Sequence, residues 1–246
     1  MIIMISWECN MKLGNKIVVH DLTFSFNKNS KKFFDKLHVD FVPGTLNFIQ
    51  GKNGVGKSTL LKIFSGNMSP DHQLQGTLHI NCDVYDFCQP DTMSKAVAFV
   101  PQKFDELLVD SYSLYENLQF AQMSAYPSLV SLPKIVALPK LLDEYGIDYT
   151  IPVSLLSGGQ RQILSMLMML ERNPKILLLD EPTAALDEEN TKLVMSFLQN
   201  LCVEQGMTII AIVHNQELVD TYAPSGYFEL VQHDGKRAIN FVSSKI

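Results

Sequence analysis

The 246-residue sequence has one tryptophan, four cysteines without a CxxC pair, and no apolar run near the ~18 residues that span a bilayer. Cys9, Cys82, Cys88 and Cys202 therefore read as reduced thiols rather than a disulfide framework or a metal knuckle. Basic residues are in deficit: 20 Lys and Arg face 26 Asp and Glu, leaving −6, which argues against a general nucleic-acid binder. Charged residues make up only 19% and hydrophobic ones 46%, a folded globular balance that excludes a disordered or collagen-like chain. The opening MIIMISW has no basic residue ahead of its short apolar stretch, so no secretory signal is expected. These absences predict a soluble, cytoplasmic protein of one domain.

The periodicities that are present predict an α/β fold. Strand-like segments lie within Ile17–Phe26 and at Thr45–Ile49, Gly76–Ile80, Ala96–Val100, Ile176–Leu179 and Thr208–Val213. The last three are nearly continuous Val, Ile, Leu and Ala runs, as expected of strands buried on both faces under helices. Thr191–Cys202 supplies one such helix, with Leu193, Val194, Phe197, Leu198 and Leu201 at helical spacing. From about Lys103 to Met169 helix signals replace strand signals: Ser113-x-x-Glu116 is a capping box, and a helix from Pro139 through Leu141, Leu142 and Tyr145 should stop at Gly146. A helical insertion between two parts of an α/β core follows. Gly226–Val242 reads as two strands joined at Asp234-Gly235.

Gly51-Lys52-Asn53-Gly54-Val55-Gly56-Lys57-Ser58 fits GxxxxGK[ST] between a strand and a helical run. Glycines let backbone N–H groups wrap phosphate oxygens, and the following helix aims its positive end at them. Lys57 is placed to reach β- and γ-phosphates, and Ser58 to ligate Mg²⁺. The strand Ile176–Leu179 ends in Asp180 and Glu181. Beside a phosphate loop, Asp180 reads as a Mg²⁺ holder and Glu181 as the group that polarises an attacking water. Leu156-Ser157-Gly158-Gly159-Gln160 contains a second capping box, Ser157-x-x-Gln160. A cap explains Ser and Gln but not two adjacent glycines, which weaken a first turn; exposed amides at a helix N-terminus make a second anion site.

Taken together, Walker A at 51–58, Gln102 after an apolar strand, LSGGQ at 156–160, Walker B at 176–181, Ala185-Leu186-Asp187 and His214 resemble the ATP-binding cassette (ABC) ATPases, in that family's order from about Val18 to about Gly235. The resemblance implies a P-loop NTPase core of RecA-like type, an N-terminal antiparallel β subdomain and an inserted α-helical subdomain. On that plan 1–102 and 165–246 form the core, and 103–164 the helical part carrying LSGGQ. It also implies a head-to-tail dimer in which each LSGGQ contacts the γ-phosphate held by the opposite Walker A. ATP would meet Gly51, Asn53, Gly54, Gly56, Lys57, Ser58 and Thr59 on one side, and Ser157, Gly158, Gly159 and Gln160 of the partner on the other. Ser58, Gln102 and Asp180 form the implied Mg²⁺ set, while Glu181, His214 and Gln102 form the implied catalytic group. Asp187 corresponds to the aspartate that bridges subunits, and it also reads as the N-cap of the following helix. Phe26 stands where the family has an adenine-stacking aromatic, in most members Tyr; the alternative is an ordinary inward strand residue.

The resemblance implies the ATP-hydrolysing subunit of a transporter whose membrane-spanning permease is a separate chain, on the inner face of the cell membrane. Its partners would be a second copy or a homologous ATPase, the permease, and through it a substrate-binding protein; no nucleic acid is expected. The stretch Ser157–Asp187 is similar to cassettes of importers with amino-acid-type binding proteins, so import of a small solute is expected. A soluble assembly ATPase, as in iron–sulfur cluster biogenesis, is the alternative. Met166, Met168 and Met169 should pack the helix behind LSGGQ, and His20, His38, His72, His79 and His233 show no ligand spacing. Met11 begins MKLGNKIVV, a more usual family opening, so Met1–Asn10 is expected to be a poorly ordered extension.

Overall fold

In the computed structural model, the residues described are 14–28, 30–93, 96–123, 146–223 and 225–243. The expected extension at Met1–Asn10 and most of the helix expected from Pro139 lie outside them.

Strand β1 (Ile17–Ser25) is the hub of a four-stranded antiparallel sheet, flanked by β2 (Phe34–Phe41) and β4 (Gln73–Ile80), with β5 (Asp83–Asp86) at the edge beside β4. The second sheet has six strands in the order β10-β9-β3-β8-β7-β6. Its parallel centre comprises β3 (Leu46–Gln50), β8 (Thr208–Ile212), β7 (Ile176–Asp180) and β6 (Val97–Val100). β9 (Tyr227–His233) runs parallel to β3 and turns at Asp234-Gly235 into antiparallel β10 (Lys236–Val242).

Every residue of β7 and β8 is buried, the outcome expected for apolar runs covered on both faces. Side chains alternate between the faces. Ile176 and Leu178 join a core shared with the antiparallel sheet and α1 (Lys57–Phe64). Leu177 and Leu179 join a second core under α4 (Gly158–Leu170) and α5 (Glu188–Gln205). Each such fully buried leucine stabilises the fold by roughly 1.5–3 kcal/mol. Met166 and Met168 are buried in that second core, and Met169 packs against it.

A short helix, α2 (Pro90–Met93), comes before the expected insertion, and a 3₁₀ turn at Phe104–Leu107 opens it. α3 (Leu114–Ala121) then begins at the expected capping box, where Ser113 accepts from the Glu116 amide and the Glu116 carboxylate accepts from the Ser113 amide. Last comes α6 (Gln216–Tyr222), capped by Asn215.

β2 and β5 go beyond the strands expected from the sequence. In β2 the inward residues Phe34, Leu37, Val39 and Phe41 break the two-residue period, because the β1–β2 register shifts around Lys36 and Asp21, both at positive φ. β5 is a four-residue edge strand with no buried residue.

Candidate functional site

The phosphate loop joins β3 to α1, and its shape is set by backbone that only glycine tolerates. Gly51 has φ 147°, and a Cβ there would lie 2.4 Å from the Leu230 carbonyl oxygen. Gly56, the N-cap of α1, has φ 114°, and its Cβ would lie 2.5 Å from the Phe33 ring. Lys57 is 6% exposed, and its ammonium donates to the Gly51 carbonyl at 2.7 Å and the Lys52 carbonyl at 3.2 Å. The cation thus sits inside the loop it is to serve. Burial pulls its pKa down, against the opposing pull of Glu181 and Asp180.

Parallel pairing of β7 beside β8 brings the Walker B carboxylates to the same end of the sheet. Ser58 Oγ donates to Asp180 Oδ1 at 3.1 Å across 122 residues of sequence. Burial pushes the Asp180 pKa up; the Ser58 hydrogen bond opposes this and the neighbouring Glu181 adds to it. A buried carboxylate with raised pKa, a hydroxyl and a desolvated lysine together are a donor set suited to a hard divalent cation and a polyphosphate, whose charges would offset both desolvation costs.

Glu181 follows β7 with φ 54°, a left-handed conformation that costs a non-glycine residue roughly 1–2 kcal/mol. Its carboxylate is held at both oxygens: Gln102 Nε2 donates to Oε2 at 2.8 Å and His214 Nε2 donates to Oε1 at 2.7 Å. A carboxylate only accepts, so the His214 proton facing it is on Nε2. Three residues from separate parts of the chain, 102, 181 and 214, therefore meet at one carboxylate.

LSGGQ begins α4. Ser157 Oγ accepts from the Gln160 amide, and Gln160 returns its side-chain oxygen to the Ser157 amide while donating to the Gly146 carbonyl. The adjacent glycines have a packing reason that the sequence does not reveal. A Cβ on Gly159 would lie 2.6 Å from Asn190 Oδ1, and one on Gly158 would lie 3.1 Å from Leu186 Cδ2. Asp187 caps α5 through the Asn190 amide at 2.8 Å. Arg161 Nη2 lies 2.7 Å from Asp105 and 2.8 Å from Asp110, tying the first turn of α4 to the segment after Gln102.

Phe26 lies just beyond β1 and is 42% exposed, which removes the inward-strand alternative. It joins Phe24, Phe33 and His72 in an edge-to-face cluster, and Phe33 also abuts Gly56. Asn53, Gly54 and Thr59 lie in the loop and the first turn of α1.

Two further features have no local signal in the sequence. Arg237 of β10 donates to the Val55 carbonyl at 2.7 Å and the Phe33 carbonyl at 3.1 Å, with its guanidinium carbon 3.6 Å from the Phe33 ring centroid. It braces the phosphate loop from the far edge of the sheet, and no local pattern marks it. His20, His38 and His79 come together on adjacent strands, with ring centroids 4.8 and 4.5 Å apart. Among the described residues, however, no group of His, Cys, Asp or Glu has the geometry to hold a metal ion. Nor is any described helix long and apolar enough to cross a membrane.

The family described as "ABC transporter" matches residues 34–184. A putative ABC transporter ATP-binding protein of Onion yellows phytoplasma is 29% identical over 230 residues, covering 93% of this chain and 37% of that protein. The ribose import ATP-binding protein RbsA of Rhodopirellula baltica is 30% identical over 220 residues, covering 84% of this chain and 41% of that protein. The chain thus spans about two fifths of the length of each of these curated relatives. Among solved structures, cbiO1 of Clostridium perfringens, part of the ABC transporter complex cbiONQ, superposes with a TM-score of 0.72 at 26% identity, over 90% of this chain and 86% of that one.

Proposed function

The chain belongs to the ABC transporter family, and from that premise we propose that it is an ATP-hydrolysing subunit that couples ATP-driven dimer closure to solute movement through separate permease chains. The observation that carries this reading is the Glu181 carboxylate, held by Gln102 and His214 next to the Ser58–Asp180 pair. In this reading the loop residues Gly51, Asn53, Gly54, Gly56, Lys57, Ser58 and Thr59 wrap the phosphates, and Phe26 stacks on the base. Ser58, Asp180 and Gln102 would hold Mg²⁺, which supplies positive charge against the phosphate oxygens.

Glu181 accepts a proton from water as its oxygen approaches the γ-phosphorus, and the bond to the β–γ bridging oxygen breaks, leaving ADP and phosphate. Gln102 and His214, one at each oxygen, fix the orientation of the Glu181 carboxylate toward the water. Ser157, Gly158, Gly159 and Gln160 present an anion site to the opposite subunit's γ-phosphate, with Asp187 beside it at the contact. The division into a core (1–102 and 165–246) and a helical part (103–164) belongs to the same reading, as does a place on the inner face of the cell membrane. Import is favoured by the name of the ribose-import relative; the cargo is set by the permease and its binding protein. A soluble assembly machine remains the alternative.

The test pairs chemistry with partners. With Mg²⁺, the purified chain should hydrolyse ATP, and Ser157→Arg should abolish both hydrolysis and ATP-dependent dimerisation. Intact activity in that variant would refute the composite site. A multi-span membrane protein retained stoichiometrically from detergent extracts supports the transporter role, whereas retention of soluble partners alone overturns it.

A further inference from the structure

The donors of LSGGQ already have an oxygen between them. Ser157 Oγ donates to Asn190 Oδ1 at 2.7 Å, and the Gly159 amide donates to the same oxygen at 3.2 Å. The other end of that carboxamide, Asn190 Nδ2, donates to Asp187 Oδ1 at 2.9 Å. The orientation of the amide is fixed by its neighbours: a backbone N–H can face only an acceptor and a carboxylate can face only a donor. Asn190 comes this close because Gly159 has no Cβ. Two convergent donors at the N-terminus of a thirteen-residue helix are chemistry for an anionic oxygen, and here a neutral oxygen of the same chain fills the position.

We propose that Asn190 is a built-in stand-in for a γ-phosphate oxygen: it holds the LSGGQ donors in the open chain and must be displaced for the opposite subunit's ATP to bind. This rests on the composite-site reading above. The displaced carboxamide also takes its Nδ2 away from Asp187, so engagement of the phosphate and release of the Asp187 side chain are one event. Asn190 is thus a positioning residue that sets the ATP concentration at which the dimer closes. Its backbone amide, which Asp187 also accepts, leaves the cap of α5 independent of the side chain.

The test uses the full chain with Glu181→Gln as parent, so that closed dimers accumulate, and follows dimerisation by sedimentation as ATP is raised. Asn190→Ala removes the competing oxygen and keeps the cap; closure should need roughly 10-fold less ATP, the effect of three modest hydrogen bonds no longer to be broken. Asn190→Asp keeps an acceptor for Ser157 and Gly159 at the cost of the Nδ2 donor to Asp187, and its added negative charge faces the incoming phosphate, so closure should need several-fold more. Binding of a fluorescent ATP analogue to the dilute monomer should not change in either variant. A general loss of structure would weaken closure in both, so only displacement gives opposite signs. If the parent closes and Asn190→Ala needs the same or more ATP, the role of Asn190 is overturned and the composite site stands. If the parent never dimerises with ATP, the composite site falls and the proposal with it.

Discussion

Gly51 and Gly54 belong to one phosphate loop, yet their substitution by alanine should have very different costs. Gly54 has φ 76° and a Cβ there would meet nothing within 4 Å. Only the left-handed backbone opposes alanine, at roughly 1–2 kcal/mol, and the reduced entropy of the unfolded chain returns about 0.4–1 kcal/mol. The net loss is centred near ~1 kcal/mol. Gly51 has φ 147°, and its Cβ would lie 2.4 Å from the oxygen of Leu230, which is backbone in β9 and cannot rotate away. Essentially glycine-only dihedrals at ~1–3 kcal/mol add to overpacking at ~1–3 kcal/mol, and the same entropy return leaves a loss centred near ~3 kcal/mol. At ~2–4 °C per kcal/mol for a chain of this size, these central values predict a Tm drop of roughly 6–12 °C for Gly51→Ala and roughly 2–4 °C for Gly54→Ala. Thermal unfolding of both variants without nucleotide reads this directly. Equal shifts, or a larger one for Gly54→Ala, would refute the claim that the close approach of β9 rather than backbone dihedral alone makes glycine obligatory at 51.

Glu181→Gln should reduce turnover by roughly 10²–10⁴-fold while ATP-bound dimers accumulate, because an amide accepts no proton yet fills the same space; steady-state phosphate release checks it. Lys57→Ala should weaken nucleotide binding itself, since the buried ammonium that donates to the loop carbonyls is lost; equilibrium titration with labelled ATP would reveal unchanged affinity if the role were structural. Burial pushes the Cys202 thiol up to about 12. At pH 8 its thiolate fraction is on the order of 10⁻⁴, so exposed Cys82 should be alkylated well before it, as followed by mass spectrometry of the folded protein.

How much of the fold could be read from the sequence depended on how local the cause was. β7 and β8 were legible because burial on both faces writes an unbroken apolar run, and α3 and α4 because their capping boxes lie within four residues. β2 was not, since its register bulge erases the two-residue period that marks a strand. β5 owes its existence to pairing with β4 rather than to any apolar face of its own.

The site divides in the same way. Glycines at 51 and 56 and the pair at Asp180 and Glu181 are legible because their chemistry needs fixed spacing along the chain. Arg237 and Asn190 are not, because each acts on a motif far from it in sequence: one donates to a loop 182 residues away, the other accepts from an amide 31 residues away. In sequence, Gly158 and Gly159 read as exposed amides at a helix N-terminus, a second anion site. The structure gives Gly159 a nearer cause, the Asn190 carboxamide that needs the absent Cβ to reach the helix. Both causes act at one residue only if the carboxamide leaves when phosphate arrives. A glycine kept solely for packing would leave closure indifferent to Asn190, whereas under the proposal the packing contact and the anion site are two states of the same donors; the ATP titration of Asn190→Ala separates the two.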